Sequence, residues 1–367
     1  MVTTDSESRA WPPVRHDLQG QHAYGAPQID VPICLNTNEN PFGPSVELAA
    51  DMGAAITAEA GALNRYPDRD AISLRIAISG YLRDESAAEV TANGVWPANG
   101  SNEVMAQLFS TFGGPERLVL TFAPTYSMYE QYARDSHTGF VVVPRQPDFT
   151  VTFDTIMKAI EEHSPDLVVL TSPNNPTGTA LPIDVVDRVC ASFVGLVIVD
   201  EAYAEFRRVG TPSALQLLAT HPNLIVTRTM SKAFAFAGGR LGYAIADPAI
   251  IDAVQLVRLP YHLSRTSQVL AEVALAHRAE LLGQVDVLRS ERDHLVLWLR
   301  ESGFTAVDSD ANFILFGKFP DAHAVWKRLL AQGVLIREVA LDGWLRVSIG
   351  TPSENEAFRQ ALLKATV

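Results

Sequence analysis

Between residues 95 and 246, apolar runs of strand length alternate with amphipathic segments of helical length. The strand-length runs lie at 118–121, 139–143, 167–171, 196–200, 224–227 and 241–245. Several, such as Leu167-Val168-Val169-Leu170-Thr171 and Leu196-Val197-Ile198-Val199-Asp200, are continuously apolar rather than alternating. Strands read this way when helices cover both faces, so the pattern predicts a mostly parallel sheet in an α/β fold. Segments 101–112, 153–162 and 183–193 carry the helical period and supply the covering layers. Upstream, 48–59 and 71–82 read as two more helices, each preceded by a proline-constrained loop.

Beyond Tyr261 the texture changes. A helical stretch runs over 267–302 and is interrupted only by Gly283. Short apolar runs at 313–316, 334–337 and 344–349 alternate with a helical segment at 322–332. A last helix is expected to start near Ser353, which precedes Glu354 and Glu356 as a cap does. This mixed order predicts a smaller α+β lobe. Residues 1–30, rich in Pro, Gly and polar groups, read as an arm without its own core. The expected organisation is an arm (1–30), a large domain (31–262) whose first part can pack with the small one, and a small C-terminal domain (263–367).

A chain of 367 residues suits two domains of unequal size. Apolar residues make up 47% and charged residues 19%, as in an ordinary globular enzyme. The net charge of −13 argues against nucleic acid as a partner. No run reaches the ~18 apolar residues of a membrane span, and the polar N-terminus lacks a signal-peptide core. Cys34 and Cys190 are too few for a disulfide framework. A cytoplasmic protein without membrane association is expected. The nine histidines show no metal-ligand spacing, so no metal is expected.

Chemistry concentrates where the strands end, which is where open parallel sheets bind ligands. The run 224–227 leads into Thr229-Met230-Ser231-Lys232-Ala233-Phe234-Ala235-Phe236-Ala237-Gly238-Gly239-Arg240. A solvated surface lysine fits poorly among these small and aromatic neighbours. Lys232 reads as an amine that forms a Schiff base with an aldehyde cofactor, which requires burial or a nearby cation to lower its pKa. Thr229, Ser231 and Arg240 can hold that cofactor's phosphate. Gly100-Ser101-Asn102 opens a helix whose first amides make a second phosphate seat. Tyr126, after the strand ending at Thr121, can lie on a planar ring, although a packed core tyrosine reads equally well. Asp200 ends an all-apolar strand, which is costly without a cation such as a protonated ring nitrogen; a structural salt bridge is the competing reading. Tyr203, three positions on, can reach the ring's phenolic oxygen. Thr171-Ser172-Pro173-Asn174-Asn175-Pro176-Thr177-Gly178 fixes a backbone from which Asn175 can donate to the same oxygen, and its Asn175–Pro176 bond is expected to be cis. Arg337 and Arg346 emerge from apolar runs of the small lobe. Their guanidinium forks suit a substrate with two anionic ends.

Taken together these residues resemble the fold-type-I pyridoxal-phosphate aminotransferases, and within them the histidinol-phosphate aminotransferases. The resemblance runs from about Leu35 to Thr351. It is carried by Leu35-Asn36-Thr37-Asn38-Glu39-Asn40-Pro41, Asn64-Arg65-Tyr66-Pro67-Asp68, Asn175-Pro176-Thr177-Gly178, Asp200-Glu201-Ala202-Tyr203, Ser231-Lys232-Ala233-Phe234 and Leu345-Arg346-Val347-Ser348-Ile349-Gly350-Thr351. It implies pyridoxal 5'-phosphate bound through Lys232, with Asp200 on the pyridine nitrogen, Asn175 and Tyr203 on the ring oxygen and Tyr126 stacked on the ring. Ser101, Asn102, Thr229, Ser231 and Arg240 would seat the phosphate. Tyr66 would reach the cofactor phosphate of a neighbouring subunit, which implies a homodimer with shared sites. Arg346 would take an α-carboxylate, Arg337 the phosphate of histidinol phosphate or the distal carboxylate of glutamate, and Asn40 would also lie at the substrate. The implied reaction is ping-pong transamination between histidinol phosphate and 2-oxoglutarate in histidine biosynthesis. One position departs from the family pattern. Gly239 stands where a bulky aliphatic residue is commoner, and widens that turn.

Other readings remain at this point. An aromatic amino acid aminotransferase or a phospho-amino-acid decarboxylase of the same fold would use many of the same residues. A regulator carrying this module would need a DNA-binding segment, and the chain has neither the length nor the basic residues for one.

Overall fold

The computed structural model describes residues 14–21, 23 and 25–366. Residues 1–13 of the expected arm lie outside the described residues. The chain opens with β1 (Ile33–Cys34), α1 (Val46–Ala60) and α2 (Ile72–Ser86). Next come β2 (Val95–Ala98), α3 (Ser101–Phe112), β3 (Leu118–Ala123), α4 (Met128–Asp135) and β4 (Gly139–Pro144). They are followed by α5 (Phe153–His163), β5 (Leu167–Thr171), α6 (Ile183–Ser192), β6 (Leu196–Asp200), β7 (Leu224–Thr229) and β8 (Gly242–Ala246). Three helices follow: α7 (Pro248–Val254), α8 (Arg265–Ala276) and α9 (Arg278–Glu301). The chain then forms β9 (Thr305–Ala306), β10 (Phe313–Gly317), α10 (Ala322–Ala331), β11 (Val334–Leu335), β12 (Arg337–Glu338), β13 (Trp344–Ser348) and α11 (Pro352–Ala365).

Seven strands form one sheet in the order β2-β8-β7-β6-β5-β3-β4. All run parallel except β8, which pairs antiparallel with both β2 and β7. The continuously apolar strands behave as their composition predicts. In β5, Val168 and Leu170 pack into the core on one face, with α5 and α6, while Leu167 and Val169 pack into the other, with α3 and α4. In β6, Val197 and Val199 oppose Ile198 in the same way, and in β7 Leu224 and Val226 oppose Ile225. Covering both faces leaves each such side chain worth about 1.5–3 kcal/mol of burial. The smaller sheet is antiparallel, β12-β13-β10-β9, and β1 pairs in parallel with β11.

Three expectations need correction. The long helix breaks at His277, between α8 and α9, and not at Gly283. His277 leaves helical geometry (φ −91°, ψ 17°) with its ring nitrogen 2.8 Å from Asp51 on α1. Gly283 stays helical with nothing within 4 Å of where a Cβ would sit, at a cost of only about 1 kcal/mol relative to Ala. The run 334–337 is two strands of two different sheets, split at the buried Ile336. The cap of α11 is Thr351, whose hydroxyl accepts from the Glu354 amide while Glu354 accepts from the Thr351 amide in return. Ser353 lies inside the first turn. α4 has no counterpart among the predicted helices.

Candidate active site

A cavity of about 580 Å³ lies at the carboxyl ends of β5, β6 and β7. Ser101, Asn102, Tyr126, Asn175, Asp200 and Tyr203 all line it. So do Thr229, Ser231, Lys232, Arg240, Arg337 and Arg346. The 36–39 segment forms another wall. Two expected site residues do not line it. The Asn40 amide is turned toward the Ala233 carbonyl and Gln284, at 3.4 Å each, and its oxygen accepts from the Phe42 amide. Asn38 and Glu39 of the same loop line the wall in its place. Tyr66 is 76% exposed and stacks on Tyr261 with ring centroids 4.2 Å apart.

Asp200 stands on the floor, at the last position of β6, and is 5% exposed. Its Oδ2 accepts from the Tyr129 hydroxyl at 2.6 Å, and its Oδ1 from Thr227 Oγ1 and the Ala202 amide, each at 3.2 Å. Burial pushes its pKa upward, and the bond from Tyr129 pulls it back. Among the described residues Asp200 makes no ion pair, so the salt-bridge reading fails. A buried carboxylate facing a cavity without a cation is a fit for a protonated ring nitrogen. Tyr129 is a site residue that sequence reasoning missed. Tyr126 precedes α4, so no helical period links the two tyrosines in the sequence, and their rings meet edge to face at 5.6 Å only in the fold. Removing the Tyr129 hydroxyl leaves the carboxylate short of one charge-assisted donor. Tyr129→Phe is therefore expected to cost about 1.5–3 kcal/mol in urea unfolding of the cofactor-free protein. An unchanged midpoint would mean that the bond carries no weight.

Lys232 is half-buried, and its Nζ donates to the Thr37 carbonyl at 2.9 Å. Burial lowers its pKa to about 8; Arg346 and Arg240 push the same way, and Glu39 opposes them. The neutral amine is then about a tenth of the population at pH 7, against well under a thousandth for an ordinary lysine. The turn that carries it is tied back by Met230 and Phe236. The Met230 amide donates to the Leu241 carbonyl, and the Phe236 amide to the Met230 carbonyl. The Asn175–Pro176 bond is cis as expected; Ala123–Pro124 and Ser172–Pro173 are cis as well.

At one end of the cavity Arg240 lies against the start of α3. A Cβ on Gly100 (φ +84°) would meet Arg240 Nη2 at 2.6 Å, and one on Gly242 would meet the Ser101 amide nitrogen at 2.2 Å. Two glycines thus make room for a close meeting of helix start, strand and guanidinium. The first amides of α3 have no partner within the helix, so this corner suits an anion. Tyr126 donates to Asn102 Oδ1 at 3.2 Å, and Ser231 donates its amide to Thr229 Oγ1 at 3.1 Å. The turn at Gly239 is not left open. The Phe236 ring fills it, within 2.1 Å of where a Gly239 Cβ would sit, so in this chain the ring occupies the space of the missing aliphatic side chain.

At the other end, Arg337 on β12 is directly opposite Arg346 on β13. Like charges opposed across strands are unfavourable by themselves, and an anion between them reverses the sign. Arg346 is held by Asn175 Oδ1 at 2.6 Å and the Asn36 carbonyl at 2.8 Å. The Tyr203 hydroxyl accepts from Asn38 Nδ2 at 3.1 Å and Asn175 Nδ2 at 3.4 Å. Asn38 was absent from the expected set; its backbone is left-handed (φ +56°), and its amide nitrogen and side-chain oxygen both bond the Ser348 hydroxyl.

The family model for aminotransferase class I and II matches residues 31–362. The chain belongs to this family. The aminotransferase is 58% identical to a histidinol-phosphate aminotransferase of Thermobifida fusca, over 96% of this chain and 95% of that one. It is 51% identical to the Corynebacterium glutamicum protein of the same name, over 95% of each. Its fold superimposes with a TM-score of 0.86 on the crystal structure of histidinol-phosphate aminotransferase from Sinorhizobium meliloti in complex with pyridoxal-5'-phosphate. That protein is 24% identical, and the match covers 97% of this chain and 98% of that one. Behind Asp200, the aminotransferase anchors the ends of β6 and β7 with a buried charge cluster. Arg228, with no exposed surface, pairs with Glu85, Glu201 and Glu205 at 2.9–3.2 Å, and Arg207 pairs with Glu85 and Glu201.

Proposed function

We propose that this aminotransferase interconverts histidinol phosphate and 2-oxoglutarate with imidazole-acetol phosphate and glutamate, using pyridoxal 5'-phosphate. The observation that carries the reading is the pairing of a buried, cation-free Asp200 with a lysine of lowered pKa in one cavity. The names of the relatives support the substrate. They favour histidinol phosphate over an aromatic amino acid.

The bound cofactor would act as the electron sink for the bond broken at the substrate carbon. Asp200 would hold a ring nitrogen protonated, Asn175 and Tyr203 would bind the phenolic oxygen, and Tyr126 would pack against the ring. Ser101, Asn102, Thr229, Ser231 and Arg240 would hold the phosphate. Lys232 would supply the amine that anchors the cofactor and the general acid and base that moves the proton at the substrate carbon. Arg346 takes the α-carboxylate of glutamate. Arg337 meets the phosphate of histidinol phosphate or the distal carboxylate of glutamate.

Homodimerisation belongs to the same proposal. Exposed Tyr66 lies near other exposed apolar side chains, Leu63 and Ile72 in sequence and Tyr261 in space, a surface suited to a second copy whose cofactor phosphate Tyr66 would reach. We place the boundary between large and small domains near residue 262 and the enzyme in the cytoplasm. Among the described residues no helix is long and apolar enough to cross a membrane.

Replacing Arg337 with Ala separates substrate from fold. The loss of kcat/KM for histidinol phosphate is expected to be at least about tenfold larger than for phenylalanine, because a charged hydrogen bond contributes about 1.5–3 kcal/mol. Equal losses would mean that Arg337 does not meet the phosphate.

A further inference from the structure

A second cavity, of about 420 Å³, lies between the segment leading into α5 and the start of α6. Its volume is within the range of small-molecule sites. Phe149, Val151, Phe153, Leu181 and Val185 give it an apolar lining. Arg145 also lines it and is only 9% exposed. The Arg145 Nε donates to the carbonyls of Phe122 and Pro124, and its Nη1 to that of Phe149. Its Nη2 has no hydrogen-bond partner among the described residues, yet is not sealed from solvent. No carboxylate pairs with Arg145 among the described residues. Burial without a counter-charge lowers its pKa to about 10.

A buried guanidinium without an acid is the situation proteins otherwise avoid. Here three carbonyl dipoles hold the cation in place, and its Nη2 is left without an acceptor in a residue that lines an apolar cavity. A second cation is close, since Arg188 lies 3.7 Å over the Phe153 ring that forms part of the wall. The only acid in the lining is Asp154, which is exposed at the first turn of α5.

We propose that this cavity is a binding site, separate from the Lys232 cavity, for a small organic carboxylate with an aromatic or branched apolar body. The carboxylate accepts from Arg145 Nη2, and the body lies against Phe149, Phe153 and Val185. The site does not depend on the reading of the Lys232 cavity.

The test uses the cofactor-loaded enzyme and 3-(4-bromophenyl)propanoate, with the matching neutral amide as control. Co-crystals should place the bromine among Phe149, Phe153 and Val185, with the carboxylate within hydrogen-bond distance of Arg145 Nη2. In solution, with 2-oxoglutarate saturating the Lys232 cavity, calorimetry should show binding of the carboxylate that Arg145→Met weakens at least about tenfold. Arg145 also braces backbone, so Val185→Phe provides a second variant that fills the cavity and should abolish binding while leaving Arg145 in place. Bromine found only at Lys232, equal binding of acid and amide, or binding untouched by Val185→Phe would each overturn the proposal.

Discussion

Lys232→Ala is expected to reduce transamination by about four orders of magnitude or more. The substitution removes both the group that attaches the cofactor and the base that moves the substrate proton, and the acid–base part alone is worth about 10²–10⁴. Borohydride should no longer fix the cofactor to the chain, while the phosphate corner of Ser101, Thr229 and Arg240 still binds it. The wild-type lysine supplies a further signature. Only the neutral amine attacks an aldehyde, and the Lys232 pKa is lowered to about 8 by burial and by Arg346. The rate at which the cofactor-free enzyme captures the cofactor should therefore rise with pH and level off above about 8. A limb still rising toward the ordinary lysine value of 10.5 would show that the cavity does not perturb this amine.

Asp200→Asn carries the second large effect. The amide preserves shape: its oxygen can keep the Thr227 hydroxyl and the Ala202 amide, and its nitrogen can donate to the Tyr129 hydroxyl, which turns its own proton to Thr171 Oγ1 at 2.9 Å, so the fold should survive. What disappears is the negative charge beneath the ring nitrogen. A preorganised electrostatic contact of this kind is worth about 10²–10³ in kcat, and a loss of that order is expected. Stability should move the other way. The wild-type carboxylate is buried without a cation in the cofactor-free protein, and burial raises its pKa. The cofactor-free Asp200→Asn protein should thus be at least as stable to urea as wild type at pH 7. A variant that keeps full activity, or one that loses activity only because it unfolds, would remove Asp200 from the proposed role.

Much of this architecture is legible in the sequence because its physics is local. Runs such as Val168 to Leu170 must bury both faces, and the sheet follows. Asp200 stands out because a charge at the end of an apolar strand is costly, and Lys232 because small and aromatic residues enclose it. What escapes reading depends on contacts between distant residues. The Tyr129 hydroxyl meets a carboxylate 71 positions away, and Asn38 reaches Tyr203 across 165. The helix break at His277 is matched by a bond to Asp51, 226 positions earlier. The run 334–337 looks like one strand because a period of two says nothing about which sheet each half joins. Gly239 reads as a gap until the Phe236 ring is seen to occupy it. Asn40 illustrates the reverse case. Its type and loop suit a ligand contact, but its amide is turned toward Ala233 and Gln284, and its neighbours line the cavity.

The most direct measurement is steady-state kcat/KM for histidinol phosphate, phenylalanine and tyrosine as amino donors, with 2-oxoglutarate as acceptor and cofactor-loaded wild-type enzyme. Arg337, which Arg346 opposes across the strands, favours a doubly anionic phosphate ester at the far end of the substrate. Histidinol phosphate is expected to exceed both aromatic donors by at least about tenfold. An equal or higher value for phenylalanine or tyrosine would contradict the assignment.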